Sequence, residues 1–425
     1  MGGGVSTYAS KEEALADGKT QQEINEYLKK FTINNEILNV NWFEEKMGQK
    51  ISNVTIREQE KIGGVSGTMN FFNVTFKESA ETKAIVIKSA APNTPPHRPT
   101  MGLGREGFFY NELATKLSTK FPNLIPKHFY ATGSMEDGSM VIILEAKENA
   151  VPGGTFFGPG NPGNFAIKDT LEEMCKGNPS DLEICNKTFD YYAKIHSAYW
   201  KSSTLLEKKW LKGASWIQGQ EKEKWEGFQG MAAGMWKMHK DLIAKGEPKI
   251  KWNAHLVKCI DAAMSKTKWE TYITEFNVSK TFTLVHGDAH PHNTLWVNQR
   301  SENATLTLID FEFIGVGSPS QELGQFMVLL EPEKRRANEK KMVDEYYKKL
   351  IDNLKALNGD DFDPGYTIEE CWDEYVKGCA GKVAWIIPIF AMRMPAAGQF
   401  YHDMLAGFLE DHIKNPEEDM PMVRV

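Results

Sequence analysis

The chain has 425 residues, and its 57 acidic side chains against 50 lysines and arginines give a formal net charge of −7 at pH 7. This acidic balance, with no dense block of basic residues, gives no support to a nucleic-acid partner. The five cysteines form no C-x-x-C pair, which indicates reduced thiols and a cytoplasmic location. The longest apolar run, VAWIIPIFAM at 383–392, is too short to span a bilayer, so no transmembrane segment is predicted.

The first residues, MGGGVSTYAS, fit the M-G-x-x-x-[ST] pattern of N-myristoylation. Gly2 is the candidate lipidation site and Ser6 stands at the required offset. The alternative interpretation is an unmodified, glycine-rich start. A single acyl chain gives only weak membrane association, so the pattern adds a peripheral membrane location to the cytoplasmic one.

The predicted elements begin with helices and then change to strands. Two short amphipathic helices, TQQEINEYLKKF and NVNWFEEKMG, form an N-terminal helical extension over residues 1–50. NVTIREQEKIGGVSGTMNFFNVTF then alternates apolar and polar residues around a glycine-rich break, which predicts a strand, a loop and a second strand. KAIVIKSA and MVIILEA are predicted buried strands, and LGREGFFYNELATKL between them has helical spacing. Residues 51–147 therefore form a small, strand-rich lobe.

The remainder, residues 148–425, is predicted to be a large and mostly helical lobe. It opens with the Gly/Pro-rich stretch VPGGTFFGPGNPGN, which is either a surface loop or a lid. Helical patterns dominate from 167 to 280, a hairpin built from TLWVN and ATLTLID follows, and the rest is mainly helical. A strand-rich first part followed by a helical second part predicts an α+β fold. A nucleotide commonly binds in the cleft of such a fold.

The segment LVHGDAHPHNTLW at 284–296 supports two different chemistries. HGDAHPHN matches the H-x-D-x-x-x-x-N catalytic loop of kinases, with Asp288 as the base and Asn293 as a Mg²⁺ ligand. The alternative is a zinc site, but Pro291 interrupts any helix that would place its histidines on one face. The histidines concerned are His286, His290 and His292.

The other parts that phosphoryl transfer requires stand around this loop in kinase order. GGVSGT at 63–68 lies between two predicted strands, where backbone N–H groups can approach phosphate. Lys88, in AIVIK, fits the strand lysine that holds phosphates, with Glu106 as its preferred partner and Glu112 as the alternative. Asp310, in LIDFEF, follows a buried strand and stands where the second Mg²⁺ ligand belongs.

These motifs resemble the aminoglycoside phosphotransferase and choline kinase superfamily, and most closely its ecdysteroid kinase-like (CHK kinase-like) branch. LVHGDAHPHNTLW followed by LTLIDFEFIGVGSPSQELG carries most of the resemblance. GREGFFYNEL is similar to the E-x-x-F-Y helix of that branch, and YYAKIHSAYW to its A-x-x-H-A-x-x-W helix. The resemblance covers roughly residues 50 to 410.

The resemblance implies a two-lobed protein-kinase-like fold, ATP and Mg²⁺ as cofactors, and a small-molecule alcohol as the phosphate acceptor. It assigns the adenine contacts to the backbone of Glu145 and Lys147. The full set of predicted nucleotide residues is Gly64, Ser66, Gly67, Lys88, Glu145 and Lys147. The sequence departs from the pattern at His292, where a small residue is usual, and at LEAKEN, where a LEDL-like run is common.

Three functions compete. The first is an ATP-dependent kinase of a small-molecule hydroxyl, with Asp288 and Glu312 as candidate acceptor-site residues. The second is a protein kinase, which is disfavoured because Glu312 replaces the glycine of D-F-G and no A-P-E segment follows. The third is a catalytically retired, kinase-like scaffold or membrane-tethered binding protein. The tryptophans between 200 and 275 either form an aromatic cage for a cationic alcohol or, as the favoured interpretation, pack helices together.

Overall fold

The computed structural model describes residues 38–57 and 67–424, together with isolated positions between 22 and 33. Gly2, Gly64 and Ser66, and the myristoylation pattern as a whole, lie outside the described residues. The chain divides into two compact units. The first is formed by residues 1–150 with 295–314, and the second by residues 151–294 with 315–425.

The first unit contains a five-stranded antiparallel sheet with the strand order β1-β2-β3-β5-β4. Helix α1 (Val40–Met47) precedes it, as predicted: the side chain of Asn39 accepts a hydrogen bond from the N–H of Trp42, and Gly48 ends the helix with a φ of 64°. The strands of the sheet are β1 (Ile51–Ile56), β2 (Thr68–Phe76), β3 (Thr82–Ala90), β4 (His128–Gly133) and β5 (Met140–Glu145).

Strand β3 places Lys88 on the face of the sheet opposite the hydrophobic core. Successive side chains of a strand point to opposite faces. Ile85 and Ile87 are fully buried in a core with Phe43 and Phe72, each such side chain contributing roughly 1.5–3 kcal/mol of burial free energy. Lys88 follows on the opposite face, where its side chain is only partly buried by the sheet.

The helical segment between β3 and β4 is irregular: Gly102 ends its first helix with a φ of 65°, and a continuous run from Arg105 follows. It consists of α2 (His97–Met101), α3 (Arg105–Phe109), a π-helical turn (Tyr110–Ala114) and α4 (Thr115–Lys120). π-helical turns inside α-helices frequently occur at functional sites. The helix predicted from LGREGFFYNELATKL is therefore present, with this one local distortion.

Residues 295–314 group with the first unit, whereas the sequence placed them in the helical lobe. They contain most of β8 (Thr294–Val297) and all of β9 (Thr305–Leu308), the predicted hairpin. The N–H of Leu308 donates to the carbonyl of Leu124 at 2.8 Å, and Thr307 Oγ1 to the carbonyl of Asn123 at 3.0 Å. These long-range bonds, which no local pattern encodes, tie the hairpin to the end of the first unit's helical segment.

The second unit is mostly helical. In it, β7 (Thr283–Val285) pairs antiparallel with β10 (Gly315–Gly317), and β6 (Ala150–Pro152) lies at the boundary of the two units. Its helices are α5 (Leu171–Cys175), α6 (Asp181–Ala198), α7 (Ser203–Glu207), α8 (Ala214–Ile217), α9 (Lys222–Ala244), α10 (Ala254–Lys266), α11 (Trp269–Glu275), α12 (Leu323–Met327), α13 (Pro332–Asn358), α14 (Ile368–Arg393), α15 (Pro395–His412) and α16 (Pro416–Asp419).

Helix α14 carries the longest apolar run of the sequence. Among the described residues, this helix alone is long and apolar enough to cross a membrane. However, 56% of its apolar 18-residue stretch is buried within the structure. Its Cys371, Tyr375 and Ile387 are fully buried side chains. The apolar run therefore lies in a helix that is mostly buried within the protein.

Glu374 on α14 should make the protein less stable as the pH rises. Burial, which outweighs a hydrogen bond from Tyr366, raises the pKa of Glu374 to about 7 from an ordinary 4.5. Its contribution to stability is therefore present below pH 4.5 and is lost as the pH rises through 7. When the pH is raised from 5 to 8, we expect the free energy of unfolding to fall by about 1–3 kcal/mol less in Glu374→Gln than in the wild type. Urea unfolding at both pH values checks this; identical losses would contradict it.

The predicted fold class is confirmed. The chain is α+β, with a strand-rich unit built around one antiparallel sheet and a larger, mostly helical unit.

Candidate active site

In the first unit, Lys88 lies among three carboxylates. Its Nζ is 2.7 Å from Glu106 Oε2, 2.8 Å from Asp310 Oδ1 and 3.4 Å from Glu312 Oε1. Ligand atoms of the three acidic residues lie within 4.8 Å of one another. We refer to Lys88, Glu106, Asp310 and Glu312 as the lysine cluster.

The structure pairs Lys88 with Glu106, the partner that the sequence analysis preferred. Glu106 is buried at the start of α3, and besides the lysine it accepts a hydrogen bond from the N–H of Phe311 at 3.2 Å. Glu112, the alternative, has an exposed side chain on the π-helical turn. The pairing of Lys88 with Glu106 is therefore confirmed, while the catalytic roles of both residues stay predictions.

Asp310 has a backbone conformation that few residues other than glycine adopt. Its φ is 66°, in the left-handed region. Such conformations cost free energy and persist where neighbouring structure holds them, often at functional sites. Here Phe311 is buried and its ring stacks on Phe109 at a centroid distance of 4.1 Å, which anchors the chain directly after Asp310.

The lysine cluster keeps Lys88 protonated. Burial alone would lower the pKa of the ammonium, but the negative charges of Asp310, Glu106 and Glu312 raise it well above its ordinary value. Lys88 is thus a fixed positive charge, its side chain only 13% exposed, whereas the side chain of Asp310 is 37% exposed. A protonated lysine beside an accessible carboxylate can hold phosphate oxygens next to a cation.

Three of the residues predicted to bind the nucleotide, Gly67, Glu145 and Lys147, lie in the described part of the first unit. Gly67 lies beside β3, where a Cβ would approach the carbonyl oxygen of Ser89 to 2.9 Å, so its lack of a side chain has a packing reason. The N–H of Glu145 donates to the carbonyl of Lys127 at 2.9 Å, and its carboxylate pairs with Lys147 at 3.1 Å. The predicted adenine contact through the Glu145 backbone is therefore limited to its carbonyl oxygen.

In the second unit, the loop from His286 to Asn293 follows strand β7 directly; we call it the catalytic loop. Asn293 Nδ2 donates to the backbone oxygen of Asp288 at 2.9 Å and to its Oδ2 at 3.1 Å. Both bonds use the amide nitrogen, so Asp288 does not engage Asn293 Oδ1, the atom that a hard cation would bind. His286 Nδ1 accepts from the N–H of Asp288 at 3.3 Å, the bracing role predicted for it.

A buried carboxylate that the sequence did not single out holds the start of this loop. Glu322 accepts from the N–H of Gly287 at 2.7 Å and from the N–H of His286 at 2.9 Å. His196 Nε2 lies 3.2 Å from the same carboxylate, and its Nδ1 lies 2.6 Å from the hydroxyl of Tyr346. The motif YYAKIHSAYW contained His196, but only the fold reveals its partner.

Lys382 on α14 is a second residue that the sequence missed. Its Nζ donates a hydrogen bond to the carbonyl oxygen of Gly287. Burial raises the pKa of Asp288, but its interactions with His290, Lys382 and His286 more than offset that effect and hold the pKa below its ordinary value. Asp288 is therefore ionised at neutral pH, as an acceptor of a hydroxyl proton must be.

The histidines of the catalytic loop do not form a zinc site. Within the described part of the chain, the lysine cluster's three acids are the only group with metal-ligand spacing, and no histidine belongs to it. His292 Nε2 instead lies 3.2 Å from Asn161 Oδ1, and burial lowers the pKa of this ring to about 4, so it is neutral at pH 7. His290 Nε2 is 3.5 Å from Asp288 Oδ2.

His292 also explains why the Gly/Pro-rich stretch contains glycines at particular positions. Its ring fills the space in which side chains of Gly154 and Gly163 would lie, at 2.3 and 2.1 Å from their Cβ positions. Asn164 Nδ2 donates to three carbonyl oxygens of the same stretch. The stretch is therefore folded onto the catalytic loop as short 3₁₀ turns, Gly153–Phe157 and Pro162–Asn164.

The tryptophan-rich region packs helices, the favoured interpretation. Trp216, Trp225 and Trp269 are buried in one cluster with Tyr272. Trp225 and Trp269 meet edge to face with ring centroids 5.6 Å apart. These indoles join α8, α9 and α11.

Comparisons with solved structures give distant similarities. A choline kinase from Cryptosporidium parvum Iowa II is 10% identical, covering 92% of this chain and 97% of its own, with a TM-score of 0.45. A microcompartment-associated aminopropanol kinase is 12% identical (94% and 99% covered; TM-score 0.43), and a Plasmodium vivax ethanolamine kinase is 13% identical (93% and 95%; TM-score 0.33). No curated protein matches the chain significantly.

A family model matches residues 171–359, a range that includes α6, the catalytic loop, Asp310 and Glu322. That model describes the ecdysteroid kinase-like family. The predicted resemblance is confirmed over this range: residues 171–359 are similar to the ecdysteroid kinase-like family.

Proposed function

We propose that this protein is a small-molecule kinase that transfers the γ-phosphoryl group of Mg·ATP to an alcohol hydroxyl. The observation that carries the proposal is the lysine cluster, in which Lys88 is held between Glu106 and Asp310 at 2.7 and 2.8 Å. A protonated, rigidly held lysine next to a strained aspartate is the arrangement that phosphoryl transfer uses to hold a triphosphate. The match to a family of kinase-like proteins supports the same reaction class.

Each unit offers an oxygen ligand of the kind that suits a magnesium ion. Asp310 offers a carboxylate that is partly exposed, and the Oδ1 of Asn293 is left unused by Asp288. Oxygen donors of this kind are those that Mg²⁺ prefers. A bound Mg²⁺ would neutralise phosphate charge, and Asp310 and Asn293 are the residues proposed to hold it.

Asp288 is the proposed base. It is ionised, and Asn293 fixes its orientation. An ionised carboxylate positioned in this way can accept the proton of an attacking hydroxyl. A small alcohol is the proposed acceptor because the segment after Asp310 continues as β10 and α12, with no additional platform for a protein substrate before α13.

Mg·ATP should stabilise the wild-type protein against thermal unfolding, and Asp310→Asn should weaken that effect. A ligand at one hundred times its dissociation constant adds about 2.7 kcal/mol to the free energy of unfolding. The measurement is a thermal-shift titration with ATP, in Mg²⁺ and in EDTA. Asp373→Asn, an exposed aspartate paired with Lys377 on α14, is the control and should respond like the wild type. The absence of any wild-type shift at millimolar Mg·ATP would refute the proposed function and favour a retired, scaffold-like kinase.

A further inference from the structure

Two buried arginines of the first unit converge on Glu312. Arg98 has no exposed surface, and all three of its nitrogens donate: Nε to the carbonyl of Gly138 at 2.9 Å, Nη2 to the carbonyl of Leu103 at 3.0 Å, and Nη1 to Glu312 Oε1 at 3.1 Å. Gly138 has a φ of 69°, and a Cβ there would lie 2.6 Å from the Cβ of Arg98. The β4–β5 turn is thus shaped around this arginine.

Arg105 holds the same residue through the backbone. Its Nη1 donates to the carbonyl oxygen of Glu312 at 2.9 Å. Gly102 makes room for it, because a Cβ at that position would meet Arg105 Nη2 at 2.7 Å. Both the side chain and the main chain of Glu312 are therefore fixed by the segment that contains α2 and the start of α3.

The fixed carboxylate of Glu312 faces Lys88, at 3.4 Å from its Nζ. Glu312 is 3% exposed and its carboxylate is shared between Arg98 and Lys88, which does not support the acceptor-binding role predicted from the sequence. Of the three carboxylates around Lys88, only that of Asp310 is appreciably exposed. A cation that binds Asp310 competes with Lys88 for the same oxygen atoms.

We propose that Arg98 and Glu312 are positioning residues: Arg98 fixes Glu312, which retains the Lys88 ammonium when Asp310 is engaged by a divalent cation. Lys88 then keeps two anionic partners, Glu106 and Glu312, at the moment it must hold phosphate. The balance of charge fits this role, since the three carboxylates are matched by three cations: Lys88, which is 13% exposed, and the buried Arg98 and Arg105. The inference rests on the proposed function, because it assigns a cation to Asp310.

The test is ADP binding by calorimetry, in Mg²⁺ and in EDTA, to wild type and Glu312→Gln. Glutamine preserves shape and can still accept from Arg98, but it lacks the charge that retains Lys88. We expect Glu312→Gln to weaken ADP binding by about tenfold in Mg²⁺ and by less than about threefold in EDTA, where Asp310 still holds Lys88. Equal weakening in both buffers, or no weakening in either, would overturn the inference.

A mutant cycle tests the route through Arg98. Arg98→Lys and the double variant Arg98→Lys/Glu312→Gln are compared with the single glutamine variant. If Arg98 acts through Glu312, the double variant binds Mg·ADP within about twofold of Glu312→Gln; additive losses would contradict that route. The matched control is Arg335→Lys, an equally buried arginine of the second unit that pairs with Glu339 and Asp411. It should cost stability and leave the affinity for ADP unchanged.

A second readout does not depend on nucleotide binding. The rate at which a lysine-directed acylating reagent modifies Lys88, followed by peptide mass spectrometry, reports how firmly the ammonium is held. Adding Mg²⁺ alone should accelerate modification of Lys88 in Glu312→Gln by about tenfold and leave the wild type unchanged. A wild type that binds no Mg·ADP would refute the proposed function, whereas Mg²⁺-independent labelling in Glu312→Gln would refute the inference itself.

Discussion

Replacing Asp288 by asparagine should lower kcat by about 10² to 10⁴-fold and leave the affinity for Mg·ATP nearly unchanged. The carboxylate is the only group of this residue that can accept a hydroxyl proton, and asparagine removes that capacity while keeping its size. Asn293 would still find an oxygen acceptor at position 288, because one of its two bonds goes to the backbone oxygen. The loss should therefore appear in the chemical step, and not in folding or in nucleotide binding.

The measurement is phosphate transfer from Mg·ATP to a panel of small alcohols, together with the thermal shift that Mg·ATP produces. Asp261→Asn serves as the control, because Asp261 also lies in the second unit but is partly exposed on a helix surface, where it accepts from Lys240 and Trp236. It should retain full turnover. An Asp288→Asn protein that binds Mg·ATP and turns over acceptor at the wild-type rate would remove Asp288 from the role of base. A wild type that binds Mg·ATP but phosphorylates no alcohol would favour the scaffold interpretation.

The elements that the sequence predicted well are those whose signals are local. Helix α1 begins after Asn39 and ends at Gly48 through hydrogen bonds to neighbours within four residues, and β3 alternates buried and partly exposed side chains from Ile85 to Ser89. The HGDAHPHN loop and the strand lysine are contiguous motifs, so Asp288 and Lys88 could be singled out without any fold. β4 was not predicted as a strand, because only two of its six residues are buried and its alternation is weak.

The residues that sequence reasoning missed act through distant partners. Arg98 meets Glu312 across 214 positions, Lys382 meets Gly287 across 95, and Glu322 meets Gly287 across 35. Each is a charged residue that a helical or loop pattern would assign to the solvent. Only the burial of the side chain, and the polar groups it must satisfy there, distinguishes it from a surface charge. That is why the lysine cluster could be predicted in part, whereas its supports could not.

Glu322 is the support whose loss should cost the most stability. Glu322→Ala should lower the free energy of unfolding by about 3–5 kcal/mol. The carboxylate is 2% exposed and is the acceptor for two backbone N–H groups, those of His286 and Gly287, while also facing His196. Alanine would leave both N–H groups and the imidazole buried without that acceptor, and it would leave a cavity at the start of the catalytic loop.

The loss should be measured by urea unfolding at pH 7, with Glu226→Ala as the control because Glu226 is an exposed partner of Lys222 at 3.7 Å. The control should change the unfolding free energy by less than about 0.5 kcal/mol. Glu322→Gln separates charge from shape: it retains one acceptor oxygen but directs an NH₂ group at a second donor, so an intermediate loss is expected. A change under about 1 kcal/mol in Glu322→Ala would mean that the catalytic loop is held by other contacts, such as the bond from Lys382 to Gly287.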